Sequence, residues 1–250
     1  MALSLKDHIE EQMHTDLPSN TIHVWTKNFG AVQHETERLI HLLNDHEKIR
    51  ANKFKFPKDR QRFIVSRAVL KVLLGRYLDE NPQEIEFEYG AYGKPEVKVP
   101  SSVNFNISHA GNMVVLGFVK NYTIGVDVEI VKNDFDVVEL AENFFSQDEI
   151  RALSNTNENE RFRAFYRCWT RKESFIKAVG QGLSYPLDSF AVSLDDDHSA
   201  EFLKINGIPD PQKNWRLHSF IPADGYIAAL SINGNPKTIQ FFDWQREIQL

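Results

Sequence analysis

Three carboxylates in two short segments have the types and spacing to do chemistry. The first segment is Ile124-Gly125-Val126-Asp127-Val128-Glu129-Ile130. Its apolar residues alternate, so a strand would bury 124, 126, 128 and 130 and project Asp127 and Glu129 together from the other face, roughly 7 Å apart. The second is Trp169-Thr170-Arg171-Lys172-Glu173-Ser174-Phe175-Ile176-Lys177. Phe162, Phe165, Trp169 and Ile176 recur at helical spacing, and at about 100° per residue Glu173 falls inside that stripe. A carboxylate on a core-facing stripe is costly unless its charge is compensated. A divalent metal shared by Asp127, Glu129 and Glu173 would do so. Taken singly the segments say less. Acids on the wet face of a strand are ordinary. Glu173 and Lys177 are also spaced as an i,i+4 helix pair, and Lys172, at the edge of the stripe, could snorkel.

The donor set selects the metal. Hard oxygen ligands without a Cys/His cluster indicate Mg²⁺ or a similar cation. The histidines at 8, 14, 23, 34, 41, 46, 198 and 218 form no metal spacing. Between Lys48 and Arg62 stand seven basic residues and one acid, +6 against −12 for the remainder of a chain of net charge −6. That run is either a solvated helix face or a phosphate-binding patch on an acidic background. Phe105-Asn106-Ile107-Ser108-His109 ends a strand before a glycine turn. Without a nucleophile elbow, Ser108 is not a triad nucleophile, and it suits a turn cap or a phosphate contact. Gly180-Gln181-Gly182 would cap a helix or cradle a ligand. There is no Walker or Rossmann glycine pattern. Metal plus phosphates points to phosphoryl-type chemistry.

The elements that must position these residues are legible. Residues 1–20 read as a loosely ordered lead-in. A strand is expected at 23–25, a helix at 33–45, and a long helix from Pro57 or Asp59 to Leu78. Strands follow at 103–107 and 113–119. The second half repeats this order: a strand at 122–131, helical pieces at 136–143 and 147–154, a long helix at 160–179, and strands near 187–194, 214–221 and 225–232. Phe56-Pro57-Lys58-Asp59 echoes Phe145-Ser146-Gln147-Asp148, and Ser66-Arg67 echoes Thr170-Arg171. These echoes suggest two similar α/β halves, 21–120 and 121–250, with a ligand cleft between them.

Composition excludes some classes. At 42% hydrophobic over 250 residues the chain can bury a sizeable core. No apolar run is long enough to span a membrane. Residues 1–20 lack the apolar centre of a signal peptide. The single cysteine, Cys168, excludes an internal disulfide and reads as a small core residue. Together these features fit a cytoplasmic protein. The acidic balance argues against nucleic acid as the main partner.

Taken in order, these segments resemble the 4'-phosphopantetheinyl transferases of the longer, two-half type. The matching stretches are Glu47-Lys48-Ile49-Arg50, Phe54-Lys55-Phe56, Gly93-Lys94-Pro95, Phe105 to His109, Ile124 to Glu129, Phe144-Phe145-Ser146, and Phe165-Tyr166 through Lys177. The resemblance implies an α/β (α+β) fold of two halves related by pseudo-twofold symmetry. It implies transfer of the 4'-phosphopantetheine arm of coenzyme A to a serine of an apo acyl or peptidyl carrier protein, with release of adenosine 3',5'-bisphosphate. It puts Mg²⁺ on Asp127, Glu129 and Glu173, with Glu173, Lys177 and Asp127 as the catalytic group. It puts Arg50, Lys94, Ser108 and His109 on the nucleotide, with Arg50 or His109 near its 3'-phosphate. Lys177, and more weakly Lys172, would reach the pyrophosphate. Lys132, Phe135, Phe144 and Phe145 are the expected docking points for an acidic carrier, and two fused halves suggest a monomer. The rival readings are another Mg²⁺-dependent phosphodiester enzyme, such as a nuclease or nucleotide hydrolase, and a non-catalytic protein that binds coenzyme A or carrier.

Overall fold

The computed structural model describes residues 16–29, 33–196 and 200–244. Most of the expected lead-in lies outside the described residues. Where described it is not loose, because Leu17 is fully buried in a core cluster.

The first half runs β1 (Thr21–Asn28), α1 (Gln33–Leu39), α2 (Asp45–Asn52), α3 (Pro57–Leu78), β2 (Phe87–Tyr89), β3 (Pro95–Val97), β4 (Val103–Ala110) and β5 (Met113–Lys120). The second runs β6 (Thr123–Ile130), α4 (Val137–Glu142), α5 (Gln147–Asn155), α6 (Glu158–Val179), β7 (Phe190–Val192), β8 (Phe202–Ile205), β9 (Trp215–Phe220) and β10 (Tyr226–Asn233). A last strand, β11, spans Thr238–Asp243.

Local chemistry sets the helix ends. Pro57 opens α3 at a position whose N–H would have no partner, and Asp79 closes it in the left-handed region at φ 56°. Gly180 closes α6 at φ 78°, its N–H donating to the Ile176 carbonyl. The helices α2 and α5 each begin with a capping box, Asn44 with Glu47 and Ser146 with Glu149.

One sheet has the order β11-β1-β5-β4, the other β6-β10-β9. Apart from β11 the two match: β1 corresponds to β6, β5 to β10 and β4 to β9. Each half also has a 22-residue helix and a small hairpin, β2–β3 or β7–β8. The sheets pack face to face between α3 and α6, in four layers. Alternation along β5 explains the layering. Val114, Leu116 and Phe118 join α3 in one core, while Met113, Val115 and Val119 meet Val126, Val128, Ala228 and Leu230 in another. A strand buried on both faces reads as an unbroken apolar run, as 113–119 does. Full burial of a side chain such as Phe118 contributes about 2–3 kcal/mol. At Gly117 the sheets approach so closely that a Cβ would lie 2.8 Å from the Val126 Cγ1.

The architecture corrects three expectations. The halves are related, but in another register: Phe145-Ser146 opens α5, whose counterpart is α2, whereas Phe56-Pro57 opens the long helix α3. The expected second half, 121–250, does not keep its last strand. β11 crosses back and pairs in parallel with β1, Thr21 facing Thr238 through to Thr26 facing Asp243, and Trp244 is buried in the first half's core. The helix expected over 33–45 ends at Leu39, and a separate α2 begins at Asp45. Among the described residues no helix is long and apolar enough to cross a membrane.

Candidate active site between the halves

Strand β6 and helix α6 build the centre, and Gly125 lets them meet. A Cβ there would stand 2.1 Å from the Ser174 carbonyl oxygen, so any other residue would push the helix away. Asp127, two residues on, is nearly fully buried. Lys177 Nζ donates to Asp127 Oδ1 at 2.6 Å and to Ser108 Oγ at 2.9 Å. Ser108 Oγ donates to the same Oδ1 at 2.9 Å. Its oxygen also faces the Val128 N–H at 3.4 Å, and Asn106 Oδ1 accepts from the Val126 N–H at 2.9 Å. So β4 is tied to β6 by side chains instead of a ladder, and both halves contribute to one site.

Asp127 Oδ2 is buried with no hydrogen-bond partner. Glu129 and Glu173 complete the acidic group. Burial, then the Asp127 charge, pushes the Glu129 carboxyl up to about 7, with Glu173 adding to the rise and Lys177 opposing it. Glu173 is likewise pushed up to about 7 by burial first and Asp127 second. Among the described residues no three His, Cys, Asp or Glu side chains already stand as a metal-ligand group. By chemistry the set nevertheless suits a hard cation: all donors are oxygen, one buried oxygen is orphaned, and the Asp127 charge raises the pKa of both Glu129 and Glu173.

Two cavities open beside this centre. One of about 270 Å³ is lined by Glu173, Lys177, Lys94, Asn106, Tyr92 and Leu183, among others. The other, of about 440 Å³, is lined by Arg50, Arg62, Arg67, Ser66, His109 and Tyr89, among others. They share Gly93, Pro95 and Ile107 as walls. Arg50 Nη1 donates to the Tyr89 hydroxyl at 3.2 Å, and Arg62 Nη2 donates to Asn112 Oδ1 at 3.0 Å. His109 lies at the rim. Its pKa is held below the usual imidazole range, first by the protein packed around it and then by the Lys177 charge.

Asp127, Ser108, Lys177, Glu129 and Glu173 thus come together, and Arg50 and His109 line the adjoining cavity. Two expected ligands are engaged elsewhere. Lys172 is wholly buried in the second half: its Nζ lies 2.8 Å from Glu149 Oε2 and donates to the Leu187 and Phe190 carbonyls at 2.7 and 2.6 Å. It faces away from Glu173 because adjacent helix residues point about 100° apart. This corrects its assignment to the pyrophosphate. Lys94 lines the smaller cavity, but its ammonium donates to the Ala178 carbonyl at 3.0 Å and the Ile124 carbonyl at 3.4 Å. Burial holds its pKa below the usual lysine range. As found, it caps the end of α6 rather than presenting a free charge. Arg67 and Tyr89 were missed. Arg67 lies five residues beyond the +6 run, on a helix face that reads as core.

Comparison with known proteins places the chain. The family described as 4'-phosphopantetheinyl transferase superfamily matches residues 123–231, and that described as 4'-phosphopantetheinyl transferase, N-terminal, matches 27–120. The 4'-phosphopantetheinyl transferase HetI of Nostoc sp. is 31% identical over 234 residues, 92% of either chain. The chain belongs to the 4'-phosphopantetheinyl transferase family. The 4'-phosphopantetheinyl transferase Sfp of Bacillus subtilis is 34% identical over 198 residues, 79% of this chain and 85% of that one. The expected family, enzyme class and fold class stand.

In this phosphopantetheinyl transferase the region after Glu129 differs from expectation at one point. Phe145 is core, stacked on Phe165 at 5.3 Å, and is not available as a docking point. Phe144 is partly buried edge-on to Trp169, and Phe135 packs among Phe162, Phe165 and Tyr166. Cys168 is fully buried, and burial pushes its thiol well above the ordinary range. It is packing, not a nucleophile.

Proposed function

We propose that this transferase moves the 4'-phosphopantetheine arm of coenzyme A onto a serine hydroxyl of an apo acyl or peptidyl carrier protein, with Mg²⁺ as cofactor. The observation that carries this reading is the acidic group around Asp127, with one orphaned buried oxygen and Lys177 on the other, beside a cavity lined by three arginines. Asp127, Glu129 and Glu173 would hold the cation. When bound it would neutralise charge on the pyrophosphate and its leaving oxygen.

The chain's own residues supply the rest. The serine oxygen bonds to the phosphorus that carries the pantetheine, and the bridging P–O bond breaks. The electron pair leaves with adenosine 3',5'-bisphosphate. Glu173 accepts the serine proton. Lys177 is held in line by Ser108 and donates hydrogen bonds where pyrophosphate charge develops. Arg50, Arg62 and His109 bind the nucleotide in the larger cavity. Lys132 and Phe135 face the carrier.

The test is intact-mass spectrometry of an apo-carrier incubated with this protein and coenzyme A, with Mg²⁺ or with chelator. A gain of one phosphopantetheine arm, seen only with metal, is expected. Release of adenosine bisphosphate without carrier would instead make the protein a hydrolase. Coenzyme A binding with no transfer to several unrelated carriers would make it a binding protein.

A further inference from the structure

The turn that follows His109 is fastened from both halves. Ala110 faces Met113 across β4 and β5, so Gly111 and Asn112 form a two-residue hairpin loop with a glycine first, at φ 53°. Asn112 lies outside the strand ladder, and three of its polar groups have partners on other elements. Its N–H donates to the Tyr226 hydroxyl at 3.2 Å. Its carbonyl accepts from the N–H of Phe29, just beyond β1, at 2.7 Å. Its side-chain oxygen accepts from Arg62 Nη2, on α3, at 3.0 Å.

Tyr226 is the second half's part in this. It opens β10 and faces Ile130, the residue after Glu129. The turn lies flat on that pair: a Cβ on Gly111 would come within 2.1 Å of Ile130 Cδ1 and 3.0 Å of the Tyr226 hydroxyl. The first half has Met113 at the same place, opening β5 and facing Asn28. Met113 is buried in the seam between the sheets, against which Tyr226 also packs. An apolar side chain therefore suffices for the seam, and the hydroxyl has its use at the turn. There it satisfies a backbone N–H that the hairpin itself leaves unpaired. Arg62 needs this support. Its Nε is buried without a hydrogen-bond partner, and the Asp59 carboxylate beside it is partly exposed and 3.7 Å away.

We propose that Tyr226 is a positioning residue for coenzyme A binding: its hydroxyl fixes the Asn112 turn, and the turn fixes the Arg62 guanidinium at the nucleotide cavity. The inference rests on the reading of that cavity as the coenzyme A site. Tyr226 does not line the cavity, whereas Gly111 and Arg62 do. It acts by limiting how far the turn and the guanidinium move before the ligand arrives, so less freedom is lost on binding. Because Arg62 holds the nucleotide and not the reacting phosphorus, losing that order weakens substrate and transition state alike.

The experiment is steady-state transfer to an apo-carrier by the full chain with Mg²⁺ at varied coenzyme A, for wild type, Tyr226→Phe, Arg62→Gln and the double variant, with a melting curve of each. Tyr226→Phe removes only the hydroxyl. It should raise KM for coenzyme A about fivefold, with kcat within about twofold and the melting temperature within about 2 °C of wild type. In the Arg62→Gln background the same change should alter KM by less than about twofold, because the hydroxyl acts through Arg62. An unchanged KM in Tyr226→Phe overturns the assignment, and so does a rise that persists undiminished without Arg62. Should Tyr226→Phe not fold, Asn112→Ala keeps the N–H, drops the link to Arg62 and should raise KM in its place; an unchanged KM there overturns the assignment. A wild type that transfers the arm while Tyr226→Phe matches it loses this inference alone. A wild type that transfers nothing loses the transferase reading as well.

Discussion

Glu129 and Glu173 are pushed up to about 7 from an ordinary 4.5 by burial and by their acidic neighbours. A carboxyl with a raised folded pKa binds its proton more readily when folded. Its contribution to stability is complete below about 4.5 and is lost as pH rises through about 7. In chelator, the melting temperature should therefore fall between pH 5 and pH 7.5. Mg²⁺ should raise it more at pH 7.5, where the ligands are ionised, than at pH 5. Thermal scans with and without Mg²⁺ check this, and a flat profile would mean that burial and the Asp127 charge do not raise the two carboxyls. On the proposed reading, Glu173→Gln removes both a ligand and a proton acceptor while keeping the side chain's shape. Transfer should drop more than a hundredfold, about 3 kcal/mol, while the chelated protein is at least as stable as wild type, and more so above pH 7 where Glu173 would be ionised. Wild-type turnover in that variant would take Glu173 out of the mechanism.

Helix α6 carries two opposed lines of charged residues. Glu173 and Lys177 face β6, and Lys172 faces α5 and the β7 hairpin. Glu149 closes its capping box on the Ser146 N–H at 2.8 Å, accepts from the Val192 N–H at 2.8 Å, and meets Lys172. One carboxylate thus joins three segments. Lys172→Met should leave Glu149 buried and unpaired, at a cost of about 3–5 kcal/mol. The melting temperature should drop accordingly, while coenzyme A binding by the folded protein stays at the wild-type level. Reduced affinity without reduced stability would return Lys172 to the ligand site. The box Ser146-x-x-Glu149 is readable from sequence. The inward turn of its acid is not, because the lysine that meets it lies on another helix.

At the scale of the whole molecule, the end of the chain joins its beginning. Phe242 on β11 stacks on Trp25 at 4.6 Å and meets His23 edge-on at 4.9 Å, and Trp244 fills the first half's core. The second half thereby stabilises the first through a covalent continuation as well as through the buried sheet-to-sheet face. Truncation after Lys237 should remove about 3–5 kcal/mol of aromatic packing and lower the melting temperature by roughly 10 °C. An unchanged melting curve would show that β11 is an accessory strand.

The sequence by itself determined the repeated order of elements, the long helices and the identity of the acidic group. Periodicity fixes which face of a strand or helix a residue occupies: Asp127 with Glu129 on one, Glu173 on the other. It is silent on what the opposite element presents. The pairing of β11 with β1, the union of Ser108 with Asp127, the burial of Lys172 and the hold of Tyr226 on Asn112 join residues tens to hundreds of positions apart. Only the tertiary structure decided them, because whether a charge meets a partner, a carbonyl or a cavity depends on packing between elements and not on spacing within one.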